Sequence, residues 1–431
     1  MSKQCWVPGA DRADGDFPID NLPWGVGERT DRPGVPRIVT AIGEHALDLA
    51  ECAGYGLLEG VAPRIVDALR RPTLNAFMAL SASEWRATRS AVTELLTNGT
   101  RSLRDHARRD DVLLPMSRLR MGMPACVGDY TDFYASVHHA SNVGTMFRPT
   151  GNALLPNWKH LPVGYHGRAS SLVVSGAPVV RPCGQTSATD DGPPAFGPSK
   201  LLDYELEMGF FFGGAGNALG ERVPIAAARE HIFGCVLLND WSARDVQKWE
   251  YQPLGPFNAK NFCTSISPWV VTMDALAPYC EPGPTRGADD PPLLDYLRLS
   301  DDFVVNVTLE VRIQSTGMRE QGTPGTRISL GNFRDMYWTM CQMLAHHTST
   351  GCNMRPGDLL GSGTISGPGK ESRGCLLERT WRGTEPVTLD DGTERKFLQD
   401  GDEVTIAGWC EKPGLPRIGF GTCTGRVLPA K

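Results

Sequence analysis

The segment LLDYELEMGFFF (residues 201–212) decides the fold. In a strand, alternate residues share a face, so Asp203, Glu205 and Glu207 project together while Leu202, Tyr204, Leu206 and Met208 project oppositely. The run continues into Met208-Gly209-Phe210-Phe211-Phe212, apolar on both faces, as in a strand heading into a core. The plain reading of the alternation is a half-exposed strand with a polar outer face. A second reading follows from the charges. Carboxylates at i and i+2 on a partly buried face repel each other and lose hydration, and a bound hard cation would offset both costs.

The surrounding chain supports a mainly β (α+β) fold. From Met121 onward, strand-like segments at Leu172–Val174, Tyr204–Phe212, Ile232–Leu238, Trp269–Val271, Phe303–Val311, Gly357–Leu360 and Glu403–Ala407 are separated by Gly and Pro. They do not alternate regularly with helices, which disfavours a doubly wound α/β sheet. Residues 1–120 differ in texture. Between Phe17 and Leu49, short apolar runs are broken by Asn21, Pro23, Gly25, Gly27, Pro33, Gly34 and Pro36, a spacing that suits a small β-barrel. A helix follows, with a capping box at Ser81 and Glu84 and with Trp85, Val92, Leu95 and Leu96 at helical spacing. RSLRDHARRDD (101–111) reads as a solvated helix face and CEPGPTRGADDPP (280–292) as a surface loop. Two domains are expected, residues 1–120 with the helical linker and residues 121–431.

Composition narrows the function. The 431 residues carry 43 Lys+Arg and 49 Asp+Glu, a formal charge of −6, with no basic stripe, so nucleic acid is not an expected partner. No apolar run is long enough to span a membrane, and the acidic, proline-bearing start does not resemble a secretory leader, so a cytoplasmic protein is expected. Twelve cysteines without a CxxC pair read as reduced, mostly buried thiols. GGAGNALG (213–220) fails the dinucleotide pattern, GPGKES (367–372) fails as a phosphate loop at both ends, and neither GxSxG nor HExxH occurs.

Two further segments carry candidate chemistry. In IFGCVLLNDWSARDVQKWEY (232–251), Asp240 stands where a buried strand ends, either as a helix N-cap or as a ligand. Arg244, Gln247 and Tyr251 then share one helix face, which suits an anionic, oxygen-rich ligand. In DYTDFYASVHHASNVGTMFRP (129–149), Asp132 and His139 lie two helical turns apart if the segment is helical. A structural histidine is the simpler reading there, His138 competes with His139, and Phe133 and Tyr134 suit a core equally well.

Together these segments, with NALLPNWKHLPVGYHGRASS (152–171), MYWTM (336–340), CNMRPGDLLGSGTISG (352–367), DGDEV (400–404) and FPIDNLPWGVG (17–27), resemble the fumarylacetoacetate hydrolase family over nearly the whole chain. The resemblance implies an SH3-like N-terminal domain, a β-roll catalytic domain and a homodimer. It places metal ligands on Asp132, Glu205, Glu207 and Asp240, with Lys260 and Thr264 close to the metal. It puts the general base on His139, oriented by Glu378, and implies that Arg244, Gln247 and Lys260 surround an oxyanion. Substrate contacts fall on Tyr134, Arg148, Tyr165, Arg244, Gln247, Tyr251 and Thr364, while Asp203 is no ligand and supports the strand.

The implied activity is metal-dependent hydrolysis of a carbon–carbon bond in a small 1,3-diketo acid, 4-fumarylacetoacetate, to fumarate and acetoacetate. That is the last step of tyrosine and phenylalanine catabolism. Oxygen-only ligands favour Mg²⁺ or Ca²⁺. Other readings are a related acylpyruvate hydrolase or decarboxylase of the same superfamily, a catalytically silent metal-binding scaffold, and a zinc enzyme built on His138, His139, His346 and His347.

Overall fold

A computed structural model describes residues 4–148, 151–189 and 192–431. Met1–Lys3, the first residues of the segment read above as no leader, lie outside the described residues. The decisive segment forms a strand at Leu206–Phe212, buried along its whole length. It pairs antiparallel with Ile232–Asp240 on one side and with Leu359–Gly361 on the other. Interior on both edges and both faces, it needs apolar residues everywhere except at its start. The expected continuous alternation breaks at Tyr204-Glu205, because Leu202–Asp203 pairs separately with Ser242–Ala243. Asp203 therefore does not join the two glutamates. Its carboxylate accepts from the amides of Leu376 and Leu377 at 2.8 and 2.9 Å, satisfying free N–H groups at the start of the Leu376–Arg379 helix.

The central sheet runs in the order Gly164–Gly167, Tyr130–Phe133, Leu359–Gly361, Leu206–Phe212, Ile232–Asp240, Thr264–Ile266, Leu172–Val174, with Val271–Thr272 also on the Ile232–Asp240 strand. A five-stranded sheet, ordered Thr326–Asn332, Thr308–Gln314, Glu403–Cys410, Ile418–Leu428, Val179–Val180, packs against it. Here burial alternates strictly along Thr308–Gln314 and Glu403–Cys410, since one face meets the core and the other meets solvent. Between the sheets lie Met208, Phe210, Cys235, Leu237, Leu309, Ile406 and Phe420.

The N-terminal region forms an antiparallel sheet in the order Leu113–Pro115, His45–Asp48, Arg37–Ile42, Trp24–Arg29, Leu119–Met121. The Ala82–Leu96 helix starts at the expected capping box, with the Ser81 amide donating to Glu84 at 3.1 Å. Its Trp85, Val92, Leu95 and Leu96 are buried. Phe77 and Trp85 then meet Phe233 edge-on, with ring centroids 5.9 and 5.1 Å apart. Phe233, Val236 and Leu238 of the central strand belong to the same core as these N-terminal residues, whereas Ile232, Cys235 and Leu237 belong to the core between the sheets.

The 101–111 stretch is not a helix. It runs as turns until Arg109–Val112, because Leu103 is its one fully buried side chain and a single apolar anchor makes no helix face. Its charges pair locally in solvent instead, as in Arg108–Asp111 at 2.7 Å. Phe303–Val311 is two strands, Phe303–Val305 and Thr308–Gln314. No helix among the described residues is long and apolar enough to cross a membrane.

Candidate active site and metal centre

Four carboxylates converge at one end of the central sheet. Asp132 and Asp240 stand at the ends of the Tyr130–Phe133 and Ile232–Asp240 strands, Glu207 near the start of Leu206–Phe212, and Glu205 just before it. Each offers one oxygen within 4.8 Å of the others, and all four residues are at most 4% exposed. Burial and the charge of Asp240 push Asp132 up to about 8, and burial with the neighbouring carboxylates pushes Glu207 well above its ordinary range. Burial also pulls Glu205 upward, but the Lys260 ammonium and the Arg244 guanidinium outweigh it and hold Glu205 low.

The same burial and repulsion favour a retained proton on the Asp132–Glu207 pair when no cation compensates it. The site is suited to exchange that proton for a dication. Glu207 Oε1 is buried with no hydrogen-bond partner, the donor set is all oxygen, and the Gly363 amide steadies Asp132 Oδ1 and Glu207 Oε2 at 3.2 and 3.1 Å. The residues therefore fit a hard divalent metal. Lys260 Nζ compensates the other two carboxylates, donating to Glu205 and to Asp240 Oδ2 at 2.8 Å. Asp240 Oδ1 accepts from Thr264 Oγ1 and Oδ2 from the Tyr165 hydroxyl, each at 2.8 Å. These bonds replace the N-cap alternative for Asp240. The Arg244–Glu250 helix is capped at Ala243, and Asp240 stays on the strand.

Beside the carboxylates lies a buried imidazole–carboxylate pair. His139 sits in the first turn of the Val137–Phe147 helix, and its Nδ1 lies 2.5 Å from Glu378 Oε2. Asp132 and His139 approach through different elements, a strand and a helix, so the two-turn helical relation between them does not exist. The Tyr134 ring stands edge-on to His139, with centroids 5.3 Å apart. Glu378 is also bound by Asn142, Ser366 and Cys375, at 2.7, 2.8 and 3.2 Å. Burial raises its carboxyl, but the His139 charge and these bonds outweigh that and bring it down to about 2.

Arg244 Nη1 reaches Glu205 at 2.7 Å and Gln247 Oε1 at 3.1 Å, its Nε reaches Asp203 at 2.9 Å, and its Nη2 is buried without a partner. Thr364 is buried next to Gly363. Two of the expected substrate residues have partners outside the carboxylate cluster. Arg148 donates to the carbonyls of Ala153 and Asn152, and Tyr251 is 40% exposed, its hydroxyl accepting from Gln252. The four histidines of the zinc reading also disperse. His346 meets Tyr296, His347 meets Thr131, and no metal-holding group among the described residues unites them. Asn142, Ser366, Cys375 and Gly363 were not anticipated. Asn142 and Cys375 carried a signal, three residues from His139 and Glu378 respectively, whereas Ser366 and Gly363 owe their place to the path of the chain.

The sequence matches the fumarylacetoacetate (FAA) hydrolase C-terminal family over residues 129–428 and the fumarylacetoacetase N-terminal family over residues 20–124. It is 52% identical to the fumarylacetoacetase of Homo sapiens over 418 residues, 97% of each chain. It is 47% identical to that of Arabidopsis thaliana over 419 residues, again 97% of each. Among solved structures, a fumarylacetoacetate hydrolase from Exiguobacterium antarcticum superposes with a TM-score of 0.50 at 18% identity, covering 95% of this chain and 100% of that one. A putative HpcE protein from Mycobacterium smegmatis gives 0.51 at 18%, covering 94% and 99%. These two share the fold.

Proposed function

The chain belongs to the fumarylacetoacetate hydrolase family, and on that premise we propose that it hydrolyses the carbon–carbon bond of 4-fumarylacetoacetate to fumarate and acetoacetate. It is then a hydrolase acting on carbon–carbon bonds in ketones and serves the last step of tyrosine and phenylalanine breakdown. The observation that carries the reading is 52% identity to a fumarylacetoacetase over 97% of both chains. Division near residue 120 into an N-terminal and a catalytic domain, a homodimeric state and a cytoplasmic location belong to the same reading.

Asp132, Glu205, Glu207 and Asp240 would hold Mg²⁺ or Ca²⁺, with Lys260 and Thr264 alongside. A cation held there would supply Lewis-acid polarisation of the diketone and compensate negative charge developing on it. His139 Nε2 takes a proton from water as the water oxygen attacks the carbonyl carbon of the fumaryl group, the one attached to the CH=CH unit, while Glu378 holds the Nδ1 proton and hence the tautomer. The electron pair of the broken bond leaves on acetoacetate as an enolate, and carbon protonation completes it. The unpartnered Nη2 of Arg244, the N–H of Lys260 not engaged by Glu205 and Asp240, and Gln247 face the oxyanion. Tyr134, Arg148, Tyr165, Tyr251 and Thr364 orient the substrate carboxylates, for which Arg148 must release the Ala153 carbonyl and Tyr165 its bond to Asp240.

Loss of diketone absorbance tests the reading. Turnover of fumarylacetoacetate should disappear after chelation and return with Mg²⁺ or Ca²⁺. Turnover of acylpyruvates with fumarylacetoacetate left intact would instead place the chain with a related hydrolase.

A further inference from the structure

We propose that Asn142 and Ser366 are positioning residues for the His139–Glu378 pair, forming with Ser136 a closed hydrogen-bonded frame around it. The inference rests on His139 acting as the base. Ser136 Oγ accepts from the His139 amide at 3.2 Å and donates to the Ser366 carbonyl at 3.0 Å. Ser366 Oγ accepts from the Gly374 amide at 2.9 Å and donates to Glu378 Oε2 at 2.8 Å, the oxygen that also meets His139 Nδ1. Asn142, one turn beyond His139 on the same helix, donates to the other oxygen, Oε1, at 2.7 Å. One helix thus grips both oxygens of Glu378, through side chains at i and i+3, and the Ser366 segment closes the frame from the opposite side.

This arrangement does two things. With Oε1 held by Asn142 and Oε2 shared by Ser366, His139 and the Cys375 thiol, the carboxylate plane cannot rotate, so one lone pair stays aimed at Nδ1. The donors also draw off negative charge, which keeps Glu378 an acceptor and discourages it from taking the imidazole proton. His139 Nε2 is left as the basic atom. Neither residue touches the reacting atoms, so their effect must pass through His139.

A double-mutant cycle reads that dependence. Asn142→Leu removes the donor at similar volume, and Ser366→Ala removes the hydroxyl without adding bulk. Each is expected to lower kcat about 10- to 100-fold, the size of effect seen for outer partners that orient a metal-ligating histidine, while KM and cation affinity by calorimetry stay unchanged. In a His139→Ala background, neither substitution should lower the residual rate further. Wild-type kcat in both single variants, or an equal fractional loss with and without His139, overturns the proposal. Full turnover by His139→Ala alone is a different result and overturns the base assignment instead.

Discussion

At the scale of single residues, the carboxylate group is a balance of charges that no bound proton or amine fully settles. Lys260 and Arg244 serve Glu205, while Glu207 Oε1 is left buried and unpartnered. Removing one charge should therefore matter more to the loaded protein than to the empty one. Glu205→Gln is expected to weaken Mg²⁺ or Ca²⁺ binding at least tenfold, read by titration calorimetry, and to reduce the rise in Tm that saturating cation produces. An unchanged titration would mean that Glu205 is only an ion-pair partner for Lys260. Glu205 and Glu207 were legible as candidate ligands, because charges leading into an apolar strand are costly to bury without compensation, whereas Asp132 and Asp240 joined them as ligands through the family resemblance. The fate of Asp203 was visible only through its familial resemblance, since strand alternation alone puts it with the glutamates. Its actual partners are the Arg244 guanidinium and amides 173 and 174 residues away.

Elements add constraints that their sequences only partly express. The Leu359–Gly361 strand lies parallel to Tyr130–Phe133, setting Gly361 opposite Asp132. A Cβ on Gly361 would stand 2.6 Å from Asp132 Oδ1 and 3.1 Å from Glu207 Oε2. Gly361→Ala should displace both carboxylates and lower cation affinity by about tenfold or more, with little change in the Tm of the cation-free protein. Equal affinity in that variant would show that the two side chains shift without cost.

In the N-terminal unit, Asp48 caps the Leu49–Gly54 helix by accepting from the Glu51 amide at 3.0 Å, but burial pushes its carboxyl up to about 6. Between the ordinary carboxylate range near pH 4 and pH 6, the folded state binds more protons than the unfolded state. Stability from this group therefore falls as pH rises through that window. Asp48→Asn keeps a capping oxygen without the charge. Denaturant titrations should show it stabilised by about 1–3 kcal/mol at pH 7 and unchanged near pH 4. Destabilisation at pH 7 would mean that the charge strengthens the cap more than burial penalises it. A capping Asp before a short helix is readable from sequence, but its depth of burial is not.

On the scale of the whole molecule, the central sheet is covered on both faces, by the five-stranded sheet on one and by the N-terminal unit on the other. Trp24 and Val270 exchange backbone hydrogen bonds of 2.9 and 2.7 Å, and Asn21 donates to the Gly419 carbonyl at 2.7 Å. Phe211, Phe233, Val236, Leu238, Ile266, Val270 and Leu359 all depend on N-terminal residues for cover. The full chain should unfold in one calorimetric transition, and residues 121–431 expressed alone should bind an apolar dye or aggregate. A soluble truncated chain with the Tm of the whole protein would show the N-terminal unit to be dispensable. The formal charge of −6 also conceals local sign changes, since a bound dication would add two positive charges at the carboxylates where Lys260 and Arg244 already lie.

The amino-acid sequence by itself determined the β-rich class, the capping box at Ser81 and Glu84, the acidic strand of Glu205 and Glu207 and the family resemblance. Each of these is carried by local periodicity or by contiguous motifs, and backbone geometry translates such patterns directly into faces and ends. Only the tertiary structure decided that Asp240 stays on its strand, that the 101–111 stretch forms turns, and that Asn142 and Ser366 close around Glu378. Those outcomes depend on which side chains the assembled sheets and helices bury and which they leave in solvent. His139 and Glu378 meet across 239 residues of chain, and no local pattern encodes such a meeting when it is set by the packing of whole elements.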